Sequence, residues 1–170
     1  MTDPRSSEPS VPDLSHIDAA GRARMVDVSR KPATERTAEA RARIELTPEL
    51  RARVLHGDLP KGEAIAVARV AAIQAAKDTA RLIPLCHPLP LDAVEVEFAP
   101  HGEEAIEVRA RARCRGSTGV EMEALTAATV GALTLYDMVK ALCREARITD
   151  VELLSKSGGK SGEWRREGAQ

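Results

Sequence analysis

The sequence predicts an α+β fold of the ferredoxin-like, split βαβ kind, an antiparallel sheet with two long helices on one face. Three observations predict it. Apolar and charged residues alternate strictly at about 38–46, 93–98 and 106–114. Two long segments, about 63–82 and 120–145, are rich in Ala, Val and Leu. Placed in order, with a last strand at 148–154, the elements read strand, helix, strand, strand, helix, strand.

Each element has a local reason. In AEARARIEL at 38–46 every second residue is apolar, which suits a half-buried strand. Thr47 then stands before Pro48, a cap followed by proline at the first helical position, so a short helix runs to about His56. Lys61-Gly62 opens the first long helix, where Ala68, Ala72, Ala76 and Ala80 form a smooth stripe that admits close packing. IPLCHPLP at 83–90 holds three prolines and must be extended. Residues 93–98 and 106–114 make a hairpin around His101-Gly102-Glu103-Glu104. Gly116-Ser117-Thr118-Gly119 is a loop into the second long helix. The expected organisation is a disordered extension at 1–13, one catalytic domain at 14–162 and a flexible tail at 163–170. Met25-Val26-Asp27-Val28 is the one patterned stretch of an ordered arm before the first strand.

Bulk composition excludes several functions. The 25 Lys and Arg nearly balance 26 Asp and Glu, so the chain lacks the basic excess of a nucleic-acid binder. A single Trp, Tyr and Phe leave no platform for stacked bases. There is no apolar run long enough for a membrane span and no signal peptide. Cys86, Cys114 and Cys143 are odd in number and far apart, so reduced thiols and a cytoplasmic location are expected.

The second long helix carries the most chemistry. It is apolar almost all round, which implies burial on several sides and, in a small domain, a partner subunit. Glu123, Thr126, Thr134 and Asp137 share a stripe roughly 80° wide at about 100° per residue. Lys140 lies one turn beyond Asp137. Two readings stand: a solvated stripe with an i, i+3 salt bridge, or a proton-transfer pair, Asp137 and Lys140, tuned by each other and by burial. Glu123 and Asp137 are about 21 Å apart along the axis, so one chain cannot focus both on one atom.

Two loops add candidates. Cys86-His87 sits before a proline that fixes the backbone; with no second ligand pair at metal spacing, zinc is not expected and no metal site is assigned. Gly159-Lys160-Ser161 ends like a P-loop, but Leu154 stands where its first Gly must be. What remains is either a Gly loop with Lys156 and Lys160 that cradles phosphate or a basic tail. Lys61, Lys77 and Arg36 are lone cations that, by themselves, read as surface charges.

Together these segments resemble the cyclic pyranopterin monophosphate synthase family, the molybdenum cofactor biosynthesis protein C group. The matching stretches are HIDAAGRARMVDVS at 16–29, KGEAIAVARVAAIQAAKDT at 61–79, LIPLCHPL at 82–89, TGVEMEALTAATVGALTLYDMVKA at 118–141 and LLSKSGGKSG at 153–162. The resemblance implies a lyase that converts 3′,8-cyclo-7,8-dihydro-GTP into cyclic pyranopterin monophosphate and releases diphosphate. It implies a homohexamer, a trimer of dimers with active sites at dimer interfaces. It implies Asp137, Lys140 and Lys61 as catalytic residues. Leu85, Cys86, His87, Met122 and Glu123 would bind substrate, and Lys77, Lys156 and Arg36 would meet phosphates. Ser117 departs from the basic residue that relatives often carry there, and the match around Arg36 is loose. No cofactor is required by the residues; Mg²⁺ accompanying the phosphates stays open. The competing reading is a regulatory module of the same fold that binds a nucleotide without turnover.

Overall fold

The computed structural model describes residues 20–160 and 162–168. The expected disordered extension at 1–13 lies outside these residues. Strand β1 (Thr34–Glu45) is followed by α1 (Pro48–His56), α2 (Ala64–Lys77) and α3 (Thr79–Leu82). Strands β2 (Leu91–His101) and β3 (Ala105–Gly116) form the hairpin; α4 (Glu121–Val139), β4 (Arg147–Ser157) and β5 (Trp164–Arg165) complete the chain. The sheet order is β2-β3-β1-β4-β5, and every pairing is antiparallel. Its first four strands with α2 and α4 make the split βαβ arrangement that the alternation predicts.

The sheet is two-faced. On β1, Ala38, Ala40, Ala42 and Ile44 are fully buried beneath the helices, and on β3 so are Ile106, Val108, Ala110 and Ala112. The residues between them are charged and paired across the strands on the other face. Arg43 Nη2 lies 3.2 Å from Glu107 Oε2, Arg41 Nη2 3.4 Å from Glu152 Oε2, and Arg111 Nη2 2.7 Å from Glu39 Oε2. Burial pushes the Glu107 carboxyl up, but Arg109 and Arg43 outweigh it and hold it below its ordinary value.

The helices approach closely because small residues line their contact. A Cβ added at Gly131 of α4 would sit 3.4 Å from the Ala72 Cβ of α2 and 2.9 Å from Val108 Cγ1 of β3. Ala68, Ala72 and Ala76 of the predicted stripe are buried in one core cluster with α4's Ala124, Ala127 and Ala128, while its fourth member, Ala80, is half-buried in α3. The two helices run antiparallel, so the start of α2 meets the end of α4.

Several expected boundaries are corrected. β1 begins four residues before the predicted 38, since Thr34 to Thr37 alternate less clearly but pair fully with β3. The first long helix does not run unbroken to Leu82. It ends at Lys77, where Asp78 accepts from the Gln74 side chain at 2.7 Å and Thr79 donates to the Ala75 carbonyl at 3.2 Å. The break itself is in the backbone: Asp78 leaves the helical region, with φ −95° and ψ 5°. Residues 83–86 close a turn rather than extend: Cys86 N donates to Ile83 O at 3.1 Å, with Pro84 at the second position. α4 stops at Val139, not 145. Within the expected tail, Trp164–Arg165 pair with Lys156 and Ser155, a contact too short to leave an alternating pattern. Thr47 caps α1 as expected, accepting from Leu50 N at 3.3 Å.

Among the described residues no helix is long and apolar enough to cross a membrane.

The small-residue contact sets a test of the fold. Ala72→Leu inserts a bulky chain where Gly131 leaves no room and is expected to cost about 1–3 kcal/mol. Urea denaturation should show a lower midpoint with an unchanged slope.

Candidate active site

At one end of the sheet β1 begins, β3 and β4 end, and α4 starts. The arm 26–32 and the loop 85–89 close over that end, leaving a cavity of about 1010 Å³. This exceeds the upper end of ordinary small-molecule sites. Leu85, Cys86, His87, Met122, Glu123, Lys156 and Arg36 all line it, so seven residues singled out in the sequence share one wall system.

Glu123 is the most unusual of them. It lies in the first turn of α4 and is only 4% exposed. Burial, and to a smaller degree the charge of Glu121, push its carboxyl above the ordinary value. The Cys86 thiol is also pushed up, by burial first and the Glu123 charge second. Cys86 therefore faces the cavity as a neutral thiol and not as a thiolate nucleophile. His87 Nε2 lies 2.8 Å from the Val26 carbonyl. A carbonyl only accepts, so Nε2 carries a proton, and in the neutral ring Nδ1 is left as an acceptor.

Cations share the cavity with these groups. Lys156 Nζ donates to Glu121 Oε1 at 2.8 Å. Lys160 and Lys31 line the same cavity, as do Gly158 and Gly159. Arg36 donates from Nε to Gly116 O at 3.4 Å and from Nη1 to Gly158 O at 3.2 Å. Ser117 stands at the rim, and its hydroxyl donates to Lys31 O at 3.2 Å.

The three expected catalytic residues do not line this cavity. They cluster at the far end of α4. Lys140 Nζ lies 2.6 Å from Asp137 Oδ1, and Lys61 Nζ lies 4.0 Å from Asp137 Oδ2 and donates to the Asp137 carbonyl at 3.0 Å. Lys61 arrives there because it precedes α2, which runs antiparallel to α4. The hydrogen bond from Lys140, then its charge and that of Lys61, hold the Asp137 carboxyl below its ordinary value, and Asp137 raises Lys140 in return. Burial does not set these values, as the solvated salt-bridge reading of the stripe expects: the side chains of Asp137 and Lys140 are 59% and 53% exposed in the single chain. The polar stripe thus runs from buried Glu123 to exposed Asp137. Lys77, exposed at the end of α2, lies at the cavity end of the helix pair but does not line the cavity.

Sequence reasoning missed Glu121, Lys31 and Val26. A second carboxylate two residues before Glu123 in a first turn is a weak signal for Glu121. The arm's MVDV pattern marked order but not what it covers.

Among the described residues no three His, Cys, Asp or Glu side chains gather to hold a metal ion. Comparison with known proteins supplies what geometry cannot. Residues 25–159 match the model of the MoaC family. A cyclic pyranopterin monophosphate synthase of Chloroflexus aurantiacus is 54% identical over 155 residues, covering 91% of this chain and 95% of the relative. Proteins of the same name from Thermomicrobium roseum and Pelotomaculum thermopropionicum are each 54% identical, covering 91% and 92% of this chain and 94% and 93% of the relatives.

The buried Glu123 makes a prediction with a definite sign. Its folded value is raised, so the native state holds this proton more tightly than the unfolded chain. Its ionisation therefore costs stability as pH rises from about 4.5 through the folded value. Glu123→Gln should melt above the wild type at pH 8, with the gap closing towards pH 4. A gap independent of pH would remove the buried charge from the account.

Proposed function

This chain belongs to the MoaC family, and we propose that it carries out the reaction its relatives are named for. It is an enzyme, a cyclic pyranopterin monophosphate synthase. It converts 3′,8-cyclo-7,8-dihydro-GTP into cyclic pyranopterin monophosphate with loss of diphosphate, in molybdenum cofactor biosynthesis. The observation that carries the reading is the identity of about half of all residues over nine tenths of the chain. A cavity lined by Lys156, Lys160 and Arg36 together with Glu123 and His87 suits such a substrate.

The residues divide the work as follows. Lys156, with Lys160 in the same cavity and Lys77 beyond it, offers positive charge to the phosphates and to the leaving diphosphate. Leu85, Cys86, His87, Met122 and Glu123 bind the ring system. Glu123, pushed up by burial, holds its proton to a higher pH than an exposed carboxyl and is placed to donate it, and His87 Nδ1 can accept one. Asp137, Lys140 and Lys61 transfer protons during ring rearrangement. Mg²⁺ that travels with the phosphates would be held by phosphate oxygens.

The two clusters are about 21 Å apart on one helix, so a complete site needs Asp137, Lys140 and Lys61 from a second subunit. Exposed apolar side chains on the same two helices support a homo-oligomer: Val70 is 69% and Leu133 53% exposed. A hexamer built as a trimer of dimers, with sites at the dimer interfaces, accommodates this. Its proposed setting is the cytoplasm, where Cys86 and Cys143 stay reduced.

Diphosphate release from the purified cyclised intermediate tests the reaction; an inert wild type would refute it. Asp137→Asn and Lys140→Ala should each lower turnover by roughly 10²- to 10⁴-fold while leaving assembly intact. Shared sites make a sharper prediction. Asp137→Asn and Glu123→Gln subunits, each inactive alone, should on reassembly regain roughly one quarter of wild-type turnover, since half the dimers are mixed and each has one intact site of two. No recovery would confine each site to one chain.

A further inference from the structure

Arg36 lies on the central strand β1, between the strands whose ends lead into two loops of the cavity. It pairs with Cys114 of β3, and its neighbour Thr37 pairs with Ser157 of β4. It is in register with Ala38, Ala40 and Ala42 and so projects to the helix side, where the core gives way to the cavity. There it donates to Gly116 O at 3.4 Å and to Gly158 O at 3.2 Å. Two of its five N–H groups are thereby committed to backbone carbonyls, one at the end of β3 and one in the glycine loop after β4.

The glycine loop is shaped to this contact. Gly158 and Gly159 have φ of +101° and +68°. A Cβ on Gly158 would overlap the Glu35 carbonyl, and one on Gly159 would overlap the Arg36 guanidinium itself. Behind the loop, β5 closes it: Trp164 pairs with Lys156, and Arg166 N donates to Leu154 O at 2.8 Å. The loop is thus held at its base by β5 and from within by Arg36.

Resting on the reading of this chain as a synthase, we infer that Arg36 is a positioning residue: its guanidinium clasps the Gly158–Gly159 turn to the end of β3 and thereby fixes where Lys156 and Lys160 meet the diphosphate end of the substrate. A planar fork is required because the two carbonyls are taken by different nitrogens, Nε and Nη1. A lysine ammonium keeps the charge but cannot reproduce that spacing.

The test compares Arg36→Lys, Arg36→Ala and Gly159→Ala in the full-length protein. KM and kcat are read for the cyclised GTP intermediate, and calorimetry reads inorganic diphosphate affinity. The clasp predicts that all three variants weaken diphosphate binding and raise KM, lowering kcat/KM by roughly 10- to 100-fold with kcat much less changed. Gly159→Ala keeps the arginine but pushes it aside, so it reports even if Arg36→Ala folds poorly. The double variant Arg36→Ala/Gly159→Ala should lose no more than the worse single variant, because both act through one contact. Near-wild-type constants for Arg36→Lys would make Arg36 a direct phosphate charge and overturn the clasp. So would losses that multiply in the double variant, or wild-type diphosphate affinity in Gly159→Ala. A wild type without turnover refutes the synthase reading instead, and diphosphate affinity still decides the clasp.

Discussion

The close contact of α2 and α4 over an alanine-faced sheet is the constraint on which the rest depends. Gly131 opposite Ala72, and a β1 face of Ala38, Ala40 and Ala42, leave little space for large side chains. A core of this kind buries little apolar area per residue. The other face of the sheet compensates with cross-strand pairs of Arg and Glu, whose register follows from the same alternation that buries the alanines. Removing one partner from the most enclosed of these, Glu107, would strand the guanidinium groups of Arg41, Arg43 and Arg109 around an empty position.

That packing also fixes the geometry of function. Because α4 lies antiparallel to α2, Lys61 is delivered to Asp137 and Lys77 to the opposite end. Because α4 is a single helix of 19 residues, its two ends cannot meet in one subunit. The exposed Val70 and Leu133 lie on the same helix pair, so the fold itself leaves apolar surface uncovered between the two ends of α4.

Much of this was legible in the sequence because period-two alternation and the alanine stripe are strong local signals. AEARARIEL, IEVRARARC and the Thr47-Pro48 cap gave the strands and α1 directly. The co-location of Leu85, Cys86, His87, Met122, Glu123, Lys156 and Arg36 followed from resemblance rather than from pattern, since these residues are separated by up to 120 positions. What escaped depends on tertiary contacts. α2 ends where the Asp78 backbone leaves the helical region, β5 exists only because β4 offers an edge, and Arg36 reads as a lone surface cation until two backbone carbonyls are placed beside it. The exposed Asp137 and Lys140 fit the solvated-stripe reading of the sequence at that end of α4, while buried Glu123 departs from it, a difference set by what packs around each end.

The two carboxylates of the α4 stripe show why their environments differ. Glu123 is enclosed at the helix start and pushed up; Asp137 is exposed between two lysines and pushed down. Groups driven in opposite directions by their surroundings can hold different protonation states at one pH. Glu123 sits near the positive end of the helix dipole, which partly offsets the cost of its burial when ionised. Asp137 sits near the negative end, where a lone carboxylate is unfavourable and where Lys61 and Lys140 are needed to neutralise it. Electrostatics therefore require the cations at one end of α4 and permit a buried acid at the other. In the proposed reaction, this asymmetry makes the joined half-sites chemically complementary rather than duplicate.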